Sequence, residues 1–426
     1  MPEREVPNLS AREKPRLFYG WFVVLVAWFI MVIIDGTFYS FGVFFEPVLT
    51  ELGWTRAMTS GAFSLCAILI GLISIITGRL NDRFGPRIAL STCGFFLGLG
   101  YLLMSQLSAI WQLYLFYGVM IAIGMSAGIV PLLSTVARWF VKRRGTMTGI
   151  VLTGVGIGTI IVPPLASRLI SSYGWHTSYI IVGGIALVLI ISAAQFMKRD
   201  PEQIGQLPYG VLHPEEQRLN LNAEDFSLKE ATRTMQFWII CMLSFCFLFC
   251  VFTVMVHINA HAVKLGVSAV AAANTLAVIG GASIIGRLTM GVFADRVGGK
   301  WAVIICFTLF AAGFLWLAVS EEVWVLYPFA AIFGFAYGGL TVLFSPMMAE
   351  LFGLGSHGVI FGISIFCAHI GGAIGPFIAG HIFDITDSYQ IAFQVCVAVG
   401  ILGIILASLL KPRVSKGGEG DSRGST

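Results

Sequence analysis

Charge is what this sequence has least of. Asp, Glu, Lys and Arg make up 11% of its 426 residues, where a soluble domain carries about 25%. With 57% hydrophobic residues, the chain falls outside the soluble globular class and is expected to cross a lipid bilayer many times. Reactive motifs are scarce too. The eight cysteines all lie in apolar runs without Cys-x-x-Cys spacing, so they read as small hydrophobic residues. The one Gly-x-Ser-x-Gly match, Gly124 to Gly128, lies inside an apolar run and not at a strand-to-helix turn, and no metal triad is in place, so the protein is not expected to be an enzyme or to hold a cofactor or metal. His257 and His261 stand four apart but lack a third ligand. The net charge of +4 comes from basic residues dispersed over loops, which speaks against nucleic acid as a partner. The polar start of the chain, with Arg4, Arg12, Lys14 and Arg16, predicts no cleaved leader.

What is present is a series of apolar runs of about twenty residues. They centre near Phe29, Ile68, Leu97, Met120, Ile157, Ile185, Phe249, Val278, Phe310, Gly334, Ala368 and Val399. These give twelve transmembrane helices, called here spans one to twelve. The long polar interruption from Lys198 to Arg233 holds Pro201, Pro208 and Pro214. It ends in Ser227-Leu-Lys-Glu230, a capping-box pattern that predicts a short helix. The expected fold is an all-α membrane protein with a tail at 1–16, a six-helix bundle at 17–197, a linker at 198–231, a second six-helix bundle at 232–411 and a tail at 412–426. Of the 26 basic residues, 22 fall on the termini, the linker and the even-to-odd loops. The positive-inside rule then puts tails and linker in the cytoplasm. A multi-pass protein of a bacterial inner membrane, working as a monomer, is expected.

An internal repeat runs through the chain at an offset of 213 residues, half its length. Gly78, Asp82, Arg83, Gly85 and Arg87 map onto Gly291, Asp295, Arg296, Gly298 and Lys300. Gly145, Gly149, Gly158, Pro163 and Ala166 map onto Gly358, Gly362, Gly371, Pro376 and Ala379. Two parallel six-helix repeats about an axis normal to the membrane place a central site at their interface and work by alternating access. Departures from the repeat mark what one half does alone. Arg287 corresponds to Ser74, His369 to Gly156 and Asp35 to Leu248.

Arg287 is the only charge between Lys264 and Asp295. A guanidinium does not shed its proton, so at membrane depth it needs a water-filled cavity, an anionic partner or an anionic substrate. Snorkelling is the alternative, since Asp295 is eight residues on, about 12 Å along a helix.

The loop Gly78-Arg-Leu-Asn-Asp-Arg-Phe-Gly-Pro-Arg87 and its echo from Gly291 to Lys300 resemble the signature loop of the major facilitator superfamily. That resemblance implies gate and scaffold roles for Asp82, Arg83, Asp295 and Arg296. The stretch Arg138-Trp-Phe-Val-Lys-Arg-Arg-Gly-Thr-Met-Thr-Gly149 resembles the fifth-helix signature of the monocarboxylate transporter family. Tyr19-Gly-Trp-Phe-Val-Val24, Phe41-Gly-Val-Phe-Phe45 and Leu52-Gly-Trp-Thr-Arg-Ala-Met-Thr-Ser60 agree with it. Arg199-Asp-Pro-Glu-Gln-Ile-Gly205 resembles bacterial relatives, including oxalate/formate exchangers. The likeness covers the chain from Tyr19 to Leu410. It implies that Arg287 binds a carboxylate, and that a small organic acid such as lactate or pyruvate travels with protons. The sequence departs from the family at Ser283, where an aspartate is usual, at Tyr39, where a lysine is usual, and at Arg16, where an acidic residue is usual. The second cation of the oxalate exchanger is replaced by His369.

Asp35, the one carboxylate well inside span one, and His369 are the titratable candidates for proton coupling. Tyr39, Tyr117, Phe335 and Tyr337 fall on spans one, four and ten, the cavity-lining helices of this superfamily. They are candidates for a small acid's binding wall, with Ser364 and Cys367 beside His369 and Asn259 on span seven. Lys142, Arg143 and Arg144, with Arg138, read as an anchor to anionic headgroups. Proton-coupled symport is the expected function, and anion exchange of the oxalate/formate type is the rival. The two differ in whether uptake needs an inward proton gradient or a counter-anion inside.

Overall fold

In a bilayer core every backbone N–H and C=O must find a partner within the protein, so a long apolar run is driven into helix. The computed structural model describes residues 18–54, 56–211, 226–266, 269–319 and 323–411. Arg4, Arg12, Lys14, Arg16, Pro214 and the two tails lie outside the described residues. The apolar helical runs are Gly20–Phe45, Gly61–Phe84, Pro86–Met104, Ile110–Trp139, Arg144–Ala194, Met235–Ile258, Thr275–Val297, Gly299–Val319, Val323–Phe352, His357–Phe383 and Gln390–Ser408. Arg144–Ala194 holds 51 residues and breaks at Gly174, where φ is 75° and ψ is 165°. That conformation suits a residue without Cβ. It divides the run into spans five and six, so among the described residues eleven runs carry twelve crossings in a multi-pass membrane protein.

The helices form two six-helix bundles whose internal packing repeats. Span one packs on five, two on four, and three on four and six; correspondingly, seven packs on eleven, eight on ten, and nine on ten and twelve. The bundles meet through span two against eleven and span five against eight. These two contacts are also equivalents under the repeat.

The repeated glycines explain why. At the basic end of the helices, a Cβ on Gly145 would lie 2.6 Å from the Gly291 carbonyl oxygen, and one on Gly358 would lie 2.6 Å from that of Gly78. One turn further in, Gly149 and Gly362 meet the carbonyls of Arg287 and Ser74 at the same 2.6 Å. All four approaches leave no room for a side chain. Close helix contact through small residues is the usual packing device where lipid supplies no hydrophobic drive between helices.

The described parts of the linker are tied to both bundles; in the second, the Phe226 N–H donates to the Phe352 carbonyl at 3.0 Å. Tyr209 pairs with the strand-like Phe140, and its N–H donates to the Trp139 carbonyl at 2.9 Å. Ser227 and Glu230 form the capping box. The Ser227 N–H donates to the Glu230 carboxylate at 2.8 Å, and the Glu230 N–H donates to the Ser227 hydroxyl at 3.3 Å. Hydrogen bonds from Ser227 hold the exposed Glu230 carboxyl below its ordinary pKa.

Candidate functional site

Arg287 is buried, with 2% of its surface exposed. Its side chain turns away from the basic end. Nη1 donates to the Ser283 hydroxyl at 2.9 Å, one turn back along span eight. The guanidinium carbon stands 5.3 Å from the centroid of the Tyr337 ring, a cation–π contact. Nε has no hydrogen-bond partner. An unpartnered donor on a buried cation is costly, and the Arg287 side chain lines a cavity.

That cavity lies between the bundles and has a volume of about 160 Å³. Both halves build it: Asp35, Phe63, Ile129 and Leu152 come from the first, and Phe247, Arg287, Tyr337 and His369 from the second. A further hollow bounded by Phe38, Tyr39, Phe41, Gly42 and Phe63 continues it toward the end opposite the basic one. Most polar groups on the wall are already engaged. Ser244 and Ser364 share a hydrogen bond at 2.6 Å, Thr341 donates to the Tyr337 carbonyl at 2.7 Å, and His369 Nδ1 lies 2.9 Å from the Ile365 carbonyl. Tyr39 and Tyr337 lie on the same wall.

Five of the residues singled out from sequence therefore share one cavity: Arg287, Asp35, Tyr39, Tyr337 and His369. Four others sit on the expected helices but not on the cavity wall. Tyr117 is fully buried, with its ring 4.4 Å from that of Phe41. It lies in the π-helical stretch Tyr114–Ile121, whose wider turns shift which face a residue presents. Phe335 and Cys367 are each two residues from a cavity residue, Tyr337 and His369. A two-residue step is more than half a turn around a helix. Cys367 faces Cys241 instead, and the Phe335 backbone packs against Gly286 of span eight. Ser364 is buried behind Ser244. The side chain of Asn259 lies outside the described residues. Sequence reasoning missed Phe63, Phe247, Ser244 and Thr341. With 34 phenylalanines in the chain, nothing distinguished a wall residue from a packing one.

At the basic end, the carboxylates of the two repeated loops each cap a helix of the other bundle. Asp82 accepts from the Gly358 N–H at 3.1 Å and the Val359 N–H at 3.0 Å, at the start of span eleven. Asp295 accepts from the N–H groups of Gly145 and Thr146, both at 2.8 Å, at the start of span five. Each anion thus meets the positive end of a helix. The arginine beside Asp82 is Arg138, at 3.4 Å, which also reaches Asp200 at 3.4 Å and the Leu354 carbonyl. Arg138 is buried in this network, not turned to headgroups. Arg83 lies over the Phe84 ring at 5.0 Å, and Arg296 is exposed beside Asp295 and Glu350.

Comparisons with known proteins agree with this architecture. The sequence profile of the Major Facilitator Superfamily matches residues 27–292 and again 265–425. Monocarboxylate transporter 13 of Bos taurus is 28% identical over 401 residues, covering 92% of this chain and 89% of its own. The oxalate:formate antiporter of Oxalobacter formigenes is 27% identical over 415 residues, covering 93% and 92%. The crystal structure of the human organic anion transporter MFSD10 superposes with a TM-score of 0.73 at 15% identity, over 93% of this chain and all of that one. At that identity the likeness speaks for the fold alone.

Proposed function

The chain belongs to the major facilitator superfamily, and we propose that it is a secondary active transporter of small monocarboxylates, the class of lactate and pyruvate. Transport is proton-coupled symport by alternating access, with the carboxylate held by Arg287. The observation that carries this reading is the buried guanidinium on the cavity between the bundles, with Nε lacking a partner. A carboxylate supplies what that cation lacks, and a planar fork can take it through two parallel hydrogen bonds. Asp35 and His369 carry the coupling, since Arg287 stays protonated throughout. Both are titratable and line the same cavity.

The basic end is the cytoplasmic one, and Asp82 and Asp295, with Arg83 and Arg296 on the same loops, form its gate. The carboxylate caps join the bundles in the state in which the site communicates with the opposite side. Release to the cytoplasm requires both caps and all four glycine contacts to separate. The name of one relative, an oxalate:formate antiporter, keeps anion exchange as the second reading. Radiolabelled lactate uptake into proteoliposomes separates the two. An acidic exterior alone drives accumulation in a symporter, whereas an exchanger needs an organic anion trapped inside.

A further inference from the structure

The cavity offers a ligand two very different environments. One is the Arg287 guanidinium, with its unpartnered Nε. The other is an apolar wall built from Phe63, Ile129, Leu152, Phe247 and Phe344. Two hydroxyls on that wall have partners already, Ser244 with Ser364 and Thr341 with the Tyr337 carbonyl. The other polar groups on the wall are Asp35, Tyr39, Tyr337 and His369; against the rest of it a buried ligand hydroxyl meets only hydrocarbon, which is unfavourable. A hydrocarbon body meets no such obstacle.

Size then narrows the choice. An apolar cavity of about 150 Å³ holds a benzene molecule, and this one measures about 160 Å³. Lactate would fill only part of it and leave the phenylalanine wall without contacts. We propose that the preferred substrate is a monocarboxylate with an apolar body about the size of a benzene ring, an aryl or branched-alkyl acid, selected over lactate. This rests on the Arg287 reading above. Each additional buried methylene should tighten binding about fourfold until the cavity is full. A second carboxylate would be buried without a cation of its own and is rejected.

The test uses the full-length protein in detergent and in proteoliposomes, with benzoate, 4-methylpentanoate, lactate and malonate as probes. Half-maximal thermal stabilisation is expected at least tenfold lower in concentration for benzoate and 4-methylpentanoate than for lactate, with malonate ineffective. Saturable uptake of labelled benzoate should exceed that of protein-free liposomes, the necessary control because the neutral acid crosses bilayers unaided. Ala67 lies on the same wall, and Ala67→Phe should fill the cavity and bring the benzoate-to-lactate ratio down toward one. Ile129→Phe gives the same readout where the first variant does not fold. Lactate binding as tightly as benzoate, with both lost in Arg287→Ala, would overturn this inference and leave the Arg287 reading standing. Benzoate binding unchanged in Arg287→Ala would overturn the Arg287 reading itself. Tight benzoate binding without protein-dependent uptake also overturns the proposal, since the acid would then be a ligand and not a substrate.

Discussion

Replacing Asp82 by asparagine should open the basic end. The carboxylate accepts two backbone N–H groups, at 3.1 and 3.0 Å, from the first turn of span eleven. Asparagine keeps the size but removes the charge and one of the two acceptor oxygens, so one N–H loses its partner. Charge-assisted bonds are roughly twice as strong as neutral ones. A carboxylate at a partly buried helix N-terminus contributes up to about 2 kcal/mol. Losing about 2 kcal/mol shifts a two-state equilibrium by roughly thirtyfold. Arg138 is not orphaned, because Asp200 remains 3.4 Å away. The loss therefore falls on the contact between the bundles. Spin labels at Lys142→Cys and Val297→Cys, both exposed and on opposite bundles, would report it as a distance distribution. The native cysteines are buried apart from the half-buried Cys367, which favours labelling at the introduced sites. Asp82→Asn should add or enlarge a longer-distance population, and Asp295→Asn should do the same by symmetry. An unchanged distribution in the double variant would refute the carboxylate caps as the gate.

Other outcomes follow from the same geometry. Gly362→Ala places a Cβ 2.6 Å from the Ser74 carbonyl, which the closed basic end does not accommodate; the same labels should move apart and lactate uptake should fall at least tenfold. Asp35→Asn and His369→Gln should retain substrate-induced thermal stabilisation but flatten the dependence of uptake on the pH gradient, and full gradient-driven accumulation in the double variant would send the proton by another route. Oxalate and malonate should compete poorly with monocarboxylates, because the cavity wall presents Arg287 as its permanent cation; strong competition would favour the exchanger.

Much of the fold was legible because the repeat carries physical meaning. Gly78, Gly145, Gly291 and Gly358 recur at one offset because they make equivalent backbone contacts between the bundles. Asp82 and Asp295 recur because each caps a helix of the other half. Arg287 stood out for the opposite reason, as a charge that the repeat does not share. What stayed hidden depends on helix phase. Tyr117 and Cys367 lie on cavity helices but face away, and a π-helical turn or a two-residue step decides that. The role of Arg138 was hidden because its partners Asp82 and Asp200 are distant in sequence and meet only in the folded chain.

The central claim is that Arg287 holds the substrate carboxylate. Its most direct test is equilibrium binding of labelled lactate and benzoate to purified, folded wild type, Arg287→Lys and Arg287→Ala. The account predicts saturable binding in the wild type, severe impairment in Arg287→Lys, which keeps the charge but loses the planar fork, and none in Arg287→Ala. Binding by Arg287→Ala equal to that of the wild type would make Arg287 a structural residue and contradict the account.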